Sequence, residues 1–559
     1  SGKTTVSILK AANLAATKLS PFQRILFLSF ARSTISRVIE AIDESEAIDS
    51  RHRELIEVET YHALFWRLIR SQGVLLNLPR KLNLLTPQAE AVALSAIRNA
   101  HGADRNLPKS QLAAKKSALQ QERLRLAFET GEVCFDLFAK FSADLFEKSE
   151  KIRAWFHTRY PVIIVDEFQD TNLDQWRFIK SLKQRCQVIA LADPEQRIFD
   201  FVGADPERLN QFREEFSPRD IELKGANYRS SGTDIALLGN DVLAGRFTKS
   251  RYEGVDLKTF PNNKQQAYAT LGGEVLRARS RQIKSGKLDW SVAILVPTKA
   301  MTRKVCDVLA SPQGKLPAVQ HTAVLDVDGI LLAAELVAYC MERSELQAEP
   351  RFVELICRFL RGRGGNQPSE TNLKAAASLE ASYSKFLEKR AQGKSMPASS
   401  LIMKALSDYQ RIRSIRFVGN VMEDWIAVRV ELEKAKLKTL QEIAAEVRNL
   451  RLLMRGADLR TAMGQIWREF GDYRGALEAV RGAFVRDHFV SAKTPETGVI
   501  IMNMHKSKGK QFDEVIIFEG WPSSHKGVLI EGSNQNRIVR RNDPHSDLSA
   551  ARLTLRVGI

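Results

Sequence analysis

Short runs of β-branched and other apolar residues recur along the chain and predict buried strands of parallel sheets. Each run is a few residues long and is followed by polar positions or by an apolar pattern of helical period. The runs are Arg24–Phe30, Glu54–Thr60, Val162–Glu167, Val188–Asp193, Val292–Pro297, Val499–His505 and Glu514–Gly520. Strands that alternate with helices predict an α/β fold whose sheets are covered on both faces.

Two long stretches, at about 71–130 and 331–488, lack such strands and have the apolar spacing of helices. We interpret them as largely helical insertions into two α/β cores. The predicted first core is then formed by residues 1–70 and 131–230, and the second core by residues 231–330 and 489–559. A chain of 559 residues is too long for one hydrophobic core, which agrees with several structural units.

Composition narrows the class of protein. No apolar run approaches the roughly 20 residues that span a bilayer, and no signal peptide opens the chain, so we expect a cytoplasmic protein without membrane contact. The five cysteines include no CxxC pair, which favours reduced thiols over a metal cluster. The net charge of +18 favours a polyanionic partner, although charge alone does not separate nucleic acid from other anions.

The chain begins with Ser1-Gly2-Lys3-Thr4-Thr5, the last part of the phosphate-binding pattern G-x-x-x-x-G-K-[ST]. In such a loop Lys3 reaches the β- and γ-phosphate oxygens, and the Thr4 hydroxyl holds Mg²⁺. The alternative is an exposed helix start. A domain rarely begins inside this loop, and the segment Leu555–Ile559 ends within a predicted helix, so we expect an interior segment of a longer protein.

Two adjacent carboxylates follow the apolar run that ends at Val165. Ligands of open α/β sheets bind at the carboxyl ends of the strands, so these acids are candidates for a nucleotide site. We expect Asp166 to hold Mg²⁺ and Glu167 to orient and deprotonate an attacking water. The alternative is a solvated strand end without chemistry.

Four motifs in a fixed order then make the chain resemble the UvrD/Rep family of superfamily 1A DNA helicases, which includes PcrA-like proteins. They are DEFQDT at 166–171, ADPEQRIFDFVGA at 192–204, NYRS at 227–230 and HKSKGKQF at 505–512. The resemblance implies two RecA-like P-loop NTPase cores, with ATP and Mg²⁺ as cofactors. It also implies ATP-driven translocation on single-stranded DNA and duplex unwinding with 3′→5′ polarity.

The resemblance assigns roles to single residues. Gln196 would sense the γ-phosphate, Tyr228 would stack on adenine, and Arg229 would act as an arginine finger. Further nucleotide contacts are expected from Ser1, Gly2, Thr5, Gly509 and Gln511. The chain departs from the family pattern at Ala192, Val202, Lys510 and Gln511, which bears on nucleotide affinity and coupling.

The resemblance also implies a DNA-binding set, because Phe30 resembles the aromatic residue of the family's motif Ia and Tyr61-His62 resembles its motif Ib. Single strands are held by basic grooves and aromatic platforms. The members of this set are Phe30, Arg32, Tyr61, His62, Phe199, Phe201 and His505. An aromatic residue after a strand is also often core, and Tyr61 in particular could pack under its helix. Lys506 and Lys508 are additional candidates for phosphate contacts.

Expected partners are single-stranded DNA, junctions of single strand and duplex, and a possible regulatory protein. Two other functions remain open. One is a helicase subunit of a helicase–nuclease complex, in recombination or phage defence. The other is a DNA-binding scaffold without ATPase activity, against which Lys3, Asp166, Glu167 and Arg229 argue.

Overall fold

The structure is a computed structural model of the 559-residue chain. It describes residues 3–30, 32–43, 45, 48–102, 107–192, 205, 207–221, 232–260, 263–312, 316–324, 327–342, 348–363, 369–448, 458–489, 497–508, 510–520, 524–525, 528–529 and 548–559.

Within these residues the chain forms helices and short strands. The strands are β1 (Ile25–Ser29), β2 (Ile56–Thr60), β3 (Asn83–Leu85), β4 (Glu132–Cys134), β5 (Val162–Val165), β6 (Gln187–Ala190), β7 (Ser291–Val296), β8 (Thr322–Val324), β9 (Gly498–Asn503), β10 (Glu514–Ile517), β11 (Ser524–His525) and β12 (Val528–Leu529). The helices are α1 (Lys3–Lys18), α2 (Arg32–Asp43), α3 (Ser50–Arg53), α4 (Tyr61–Gln72), α5 (Pro87–Ala93), α6 (Ser95–His101), α7 (Lys109–Arg125), α8 (Phe138–Lys148), α9 (Glu150–Arg159), α10 (Leu173–Lys180), α11 (Arg208–Phe216), α12 (Ile235–Ala244), α13 (Lys264–Lys284), α14 (Lys299–Ala310), α15 (Val327–Glu342), α16 (Ala348–Gly362), α17 (Glu370–Ala391), α18 (Leu401–Arg413), α19 (Val421–Glu433), α20 (Lys438–Val447), α21 (Asp458–Phe470), α22 (Ala476–Phe489) and α23 (Leu548–Gly558).

The chain divides into two compact units. The sheet unit comprises residues 1–65, 142–325 and 491–559, and the helical unit comprises residues 66–141 and 326–490. The chain therefore leaves the sheet unit twice and returns to it twice.

The first sheet of the sheet unit has the strand order β2-β1-β5-β6, and every neighbouring pair is parallel. Its central strands are apolar on both faces, as expected for strands covered by helices on each side. Residues of α1 and α2 pack with Ile25, Phe27 and Ile164 in one buried cluster. In the register, Ser29 of β1 stands opposite Thr60 of β2, so adjacent strands end at the same edge.

The second sheet has the order β10-β7-β9-β8 and is also parallel throughout. The six residues of β7 are all buried. Helices α13 and α14 cover one face, where Val275 and Val305 pack against Ile294 and Ile501. Two separate parallel sheets with helices on their faces confirm the predicted α/β fold class.

The helical unit joins the two stretches that the sequence predicts as separate insertions. Helix α5 of the first stretch packs against α15 and α16 of the second, and α6 packs against α17. The first excursion spans residues 66–141 and the second spans 326–490, so both extend beyond the predicted 71–130 and 331–488. The small parallel pair β3–β4 also lies in this unit. Strand β3 falls in the stretch predicted as largely helical, and β4 falls in the segment assigned to the first core.

No helix within the described part of the chain is both long and apolar enough to cross a bilayer.

Candidate functional site

Lys3 is the first residue of α1, and its side chain reaches the carboxyl edge of the first sheet. The Lys3 ammonium donates to the Ala192 carbonyl oxygen at 3.4 Å, just beyond the end of β6. The nearby Thr5 is exposed. Ser1, Gly2 and the side chain of Thr4 lie outside the described residues. The helix start and the lysine thus stand beside the strand end at which the sequence predicts a phosphate site.

Asp166 follows β5 directly and is buried, with 7% of its surface exposed. Its backbone N–H donates to the Leu28 carbonyl at 2.8 Å, and the Ser29 hydroxyl donates to its Oδ2 at 3.4 Å. Burial, followed by the charge of Glu167, raises the pKa of Asp166 to about 6, while Lys3 acts in the opposite direction. A carboxylate held this way favours a cation as an additional partner.

Glu167 adopts the left-handed backbone conformation, with φ of 53°. A residue other than glycine costs about 1–2 kcal/mol in this region, so the surrounding fold must hold it there. The Gln169 side-chain amide donates to Glu167 Oε2 at 2.6 Å and fixes the carboxylate direction. Gln169 and Asp170 belong to a short 3₁₀ turn, Phe168–Asp170, that begins right after Glu167.

Lys508 brings a charge from the second sheet to this edge of the first. It follows β9 and the 3₁₀ turn Met504–Ser507. Its ammonium lies 2.5 Å from Asp170 Oδ2 and 3.7 Å from Glu167 Oε2. The Lys508 side chain is only 8% exposed and that of Asp170 only 1%. Lys508 is therefore paired with two carboxylates at this edge, and its phosphate contact stays a prediction.

Two aromatic residues lie at the same sheet edge. The Phe30 ring, at the end of β1, is half-buried and lies 4.8 Å from the ring of Tyr61, the first residue of α4. Tyr61 is 1% exposed and also contacts Phe65 at 5.6 Å between ring centroids. The Tyr61 ring thus packs beneath Phe30. The assignment of Tyr61 to the DNA-binding set stays a prediction.

The remaining predicted residues are distributed as follows. His62 is exposed beside the first sheet, His505 is exposed beside the second, and Gln511, which follows His505, is exposed as well. The side chain of Arg32 lies outside the described residues, as do Gln196, Phe199, Phe201, Tyr228, Arg229 and Gly509. The structure therefore brings together Lys3, Asp166 and Glu167, and places Phe30 beside them on the adjacent strand end.

Sequence reasoning missed three residues of this site. Ser29 bonds Asp166, Gln169 bonds Glu167, and Asp170 bonds Lys508. Gln169 and Asp170 were visible as part of the DEFQDT motif, but nothing in the motif says which carboxylate faces the other sheet. Ser29 carried a weaker signal, since it is the last residue of a strand that neighbours β5.

The chain is similar in sequence to known DNA helicases. The family model for the UvrD/REP helicase N-terminal domain matches residues 130–217. An ATP-dependent helicase/nuclease subunit of Lactococcus lactis subsp. lactis is 23% identical over 483 residues, which cover 74% of this chain and 37% of that protein. A probable DNA helicase II homolog of Rickettsia felis is 21% identical over 563 residues, covering 93% of this chain and 82% of that protein. DNA helicase II of Haemophilus influenzae is 26% identical over 271 residues, covering 44% and 37%.

Proposed function

Because the chain belongs to the UvrD/Rep family of helicases, we propose that it is the motor portion of an ATP-driven DNA helicase. It would translocate on single-stranded DNA in the 3′→5′ direction and unwind duplex at junctions. The chain aligns with 37% of the Lactococcus protein and with 82% of the Rickettsia protein. The proposed function concerns only this aligned part.

The observation that carries the proposal is the meeting of Lys3, Asp166 and Glu167 at one sheet edge. A lysine at a helix start and a buried carboxylate at a strand end form the donor set that phosphates and Mg²⁺ use. The raised pKa of Asp166 fits the same purpose, since a divalent cation stabilises the ionised form of a buried carboxyl group. The residues present therefore fit a magnesium–nucleotide complex.

Three residues of the chain, Lys3, Asp166 and Glu167, have separate roles in the proposed hydrolysis. Lys3 and the backbone N–H groups at the start of α1 bind and orient phosphate oxygens. Asp166 holds the metal, directly or through water. Glu167 accepts a proton from the attacking water at its carboxylate, whose direction Gln169 fixes at 2.6 Å. Magnesium–ATP, when bound, supplies the anhydride bond whose cleavage drives the cycle.

The DNA path is proposed to cross the carboxyl edges of both sheets. Phe30 at the end of β1 would present a partly exposed ring to a base, and His62 and His505 would contact the strand from the two sheets. Each base–aromatic stack is worth about 1–3 kcal/mol, so a few such contacts suffice to grip a strand. The excess of 84 Lys+Arg over 66 Asp+Glu supports backbone contacts.

The deciding experiment is ATP turnover of the full-length protein with and without single-stranded DNA. We expect DNA to stimulate wild-type turnover. We expect Glu167→Gln to bind nucleotide and DNA normally while losing turnover by about 100-fold or more, because general base catalysis contributes 10²–10⁴-fold. Wild-type protein that hydrolyses no ATP with any single strand would instead support the scaffold alternative. Wild-type turnover in the Glu167→Gln variant would remove Glu167 from the role of base.

A second candidate is the motor subunit of a helicase–nuclease complex. It is favoured by the helicase/nuclease subunit of Lactococcus lactis, with which 74% of this chain aligns. In this case end-labelled duplex would be degraded as it is unwound, by the full-length protein or by a partner that co-purifies with it. Unwinding that leaves both strands intact in the native complex would favour a helicase without a nuclease.

A further inference from the structure

The contact between Lys508 and the first sheet joins two parts of the chain that are 338 residues apart. Lys508 stands on the turn after β9 of the second sheet, while Asp170 and Glu167 stand after β5 of the first. It is a bridge between the two sheets at the proposed site of hydrolysis. Nothing in the proposed function itself requires a lysine here.

We propose that Lys508 is a positioning residue that makes the orientation of Glu167 depend on the approach of the second sheet to the first. The proposal rests on the function proposed above, because it assigns Glu167 the role of base. Lys508 acts through the turn that carries Glu167 and does not touch the reacting atoms.

Burial gives the Lys508–Asp170 contact its strength. Asp170 is 1% exposed in its side chain. Removing one partner of a buried ion pair is far more costly than removing one partner of a surface pair. Asp170 therefore holds Lys508 firmly when the two sheets are close. It exchanges this contact for water when they separate.

The contact reaches Glu167 by a short covalent and hydrogen-bonded path. Asp170 and Gln169 are neighbours in the 3₁₀ turn Phe168–Asp170, and the backbone N–H of Asp170 donates to the Glu167 carbonyl at 2.9 Å. Gln169 in turn donates its side-chain amide to Glu167 Oε2. An anchored Asp170 thus holds the turn, and the turn holds the carboxylate. The ammonium at 3.7 Å also attracts the same Oε2 atom.

This geometry separates the proposal from the simpler one that Lys508 binds a DNA phosphate. A phosphate contact belongs to a solvated cation, and its loss weakens DNA binding and lowers the salt dependence of that binding. A positioning role instead affects the chemical step. The two roles therefore predict changes in different measured quantities.

The test compares Lys508→Ala, Lys508→Arg and a control, Lys287→Ala, in the full-length protein. Lys287 forms an ion pair with Asp513 at 2.6 Å within the second sheet alone, and its side chain is 54% exposed. We expect Lys508→Ala to lower kcat for DNA-stimulated ATP hydrolysis by about 10-fold or more, with KM for ATP and Kd for a single-stranded oligonucleotide within about 2-fold. Lys508→Arg restores most of kcat because it keeps the charge, and Lys287→Ala matches wild type.

A double variant guards against loss of folding. Asp170→Asn combined with Lys508→Met removes both charges, leaves no unpaired buried ion, and should fold while keeping the low kcat. An unchanged kcat in a folded Lys508→Ala or in the double variant overturns the proposal. So does a defect confined to DNA affinity with a reduced salt slope. A wild-type protein that shows no DNA-stimulated turnover overturns the proposed function instead, so the two failures are distinguishable.

Discussion

At the scale of single residues, the fold holds the Asp166 carboxyl group in an environment that is unfavourable to its ionised form. It is buried at a strand end, next to Glu167, and both burial and that neighbour raise its pKa to about 6 from an ordinary 3.8. The folded protein therefore binds the Asp166 proton more tightly than the unfolded chain does. Consequently, ionisation of Asp166 lowers the free energy of unfolding as pH rises from about 4 through 6.

This sign predicts that Asp166→Asn stabilises the nucleotide-free and magnesium-free protein at pH 8. The expected gain in the free energy of unfolding of the sheet unit is about 3 kcal/mol at most, since each pKa unit corresponds to about 1.4 kcal/mol. The gain should fall to about half near pH 5 and should approach zero only below about pH 4, where Asp166 is protonated in the unfolded chain as well. Urea unfolding of both proteins at the two pH values measures it.

Asp513 provides the control for that experiment, because its pKa moves the other way. Burial acts to raise it, but hydrogen bonds from Lys287 and Ser291 outweigh burial and hold the pKa below its ordinary value. Asp513→Asn should therefore lower stability at pH 8. If both substitutions destabilise the protein equally at pH 8, Asp166 does not carry the buried charge described here.

The candidate site was only partly predictable at this scale. The apolar run followed by two acids predicted that Asp166 and Glu167 lie at the carboxyl edge of a parallel sheet, where ligands bind, because they come at the end of the strand. The positive φ of Glu167 and the partner of Lys508 were not predictable, since both depend on contacts between distant segments. The burial of the Tyr61 ring could not be decided from the sequence for a related reason. An aromatic ring after a strand has the same sequence signal whether its outer face meets solvent or another ring.

At the scale of elements, helix packing in the helical unit depends on a glycine at one close approach. Gly362 ends α16, and a β-carbon there would collide with Leu332 of α15 and lie 3.2 Å from the Gln88 carbonyl of α5. Three helices from two separate stretches of chain meet at this point. A side chain fits here only if the Leu332 side chain moves and the Gln88 carbonyl shifts slightly.

We predict that Gly362→Ala lowers the free energy of unfolding of the helical unit by about 1–3 kcal/mol, the usual cost of overpacking. Gly464→Ala is the matched control. Gly464 lies within α21, where a β-carbon would have only Val421 nearby, at 3.8 Å. There alanine should stabilise by up to about 1 kcal/mol through helix propensity. Thermal unfolding of the two variants measures the difference, and equal shifts in one direction would contradict it.

Strands were easier to predict than the partners of helices. Each of the seven apolar runs overlaps a strand of the two sheets. A short run of β-branched residues is apolar on both faces, as a strand of a parallel sheet covered by helices on each side must be. The three-residue β8 was missed, since Thr322–Val324 is too short to form a pattern. The helical spacing at about 71–130 and 331–488 predicted helices there but not that α5 would pack against α16, because an apolar stripe does not encode its partner.

At the scale of the whole molecule, the helical unit is assembled from segments separated by nearly 200 residues of sheet unit. Helices α5 and α6 cover apolar surface of α15, α16 and α17. The second segment therefore depends on the first for part of its hydrophobic core, although the first segment is synthesised before the second. The sequence predicts two helical insertions, one in each core, and a helical pattern does not show that the two insertions pack together.

We predict that replacing residues 66–141 with a short Gly/Ser linker exposes apolar surface in residues 326–490. Limited proteolysis should then cleave within 326–490 at least about ten times faster than in the intact chain, because cleavage follows the population of locally open states. Cleavage within 142–192 serves as the internal reference, since that segment belongs to the sheet unit. Unchanged protection of 326–490 would mean that the second segment forms a complete core alone.

The buried ring of Tyr61 has one further consequence. It touches Phe30 on one side, and burial together with the charge of Asp166 raises the pKa of its hydroxyl well above the ordinary value. One side chain thus separates a partly solvent-facing ring from a carboxyl group in the interior. Under the proposed function, a base held by Phe30 would therefore be separated from the metal-binding carboxyl group of Asp166 by the Tyr61 side chain.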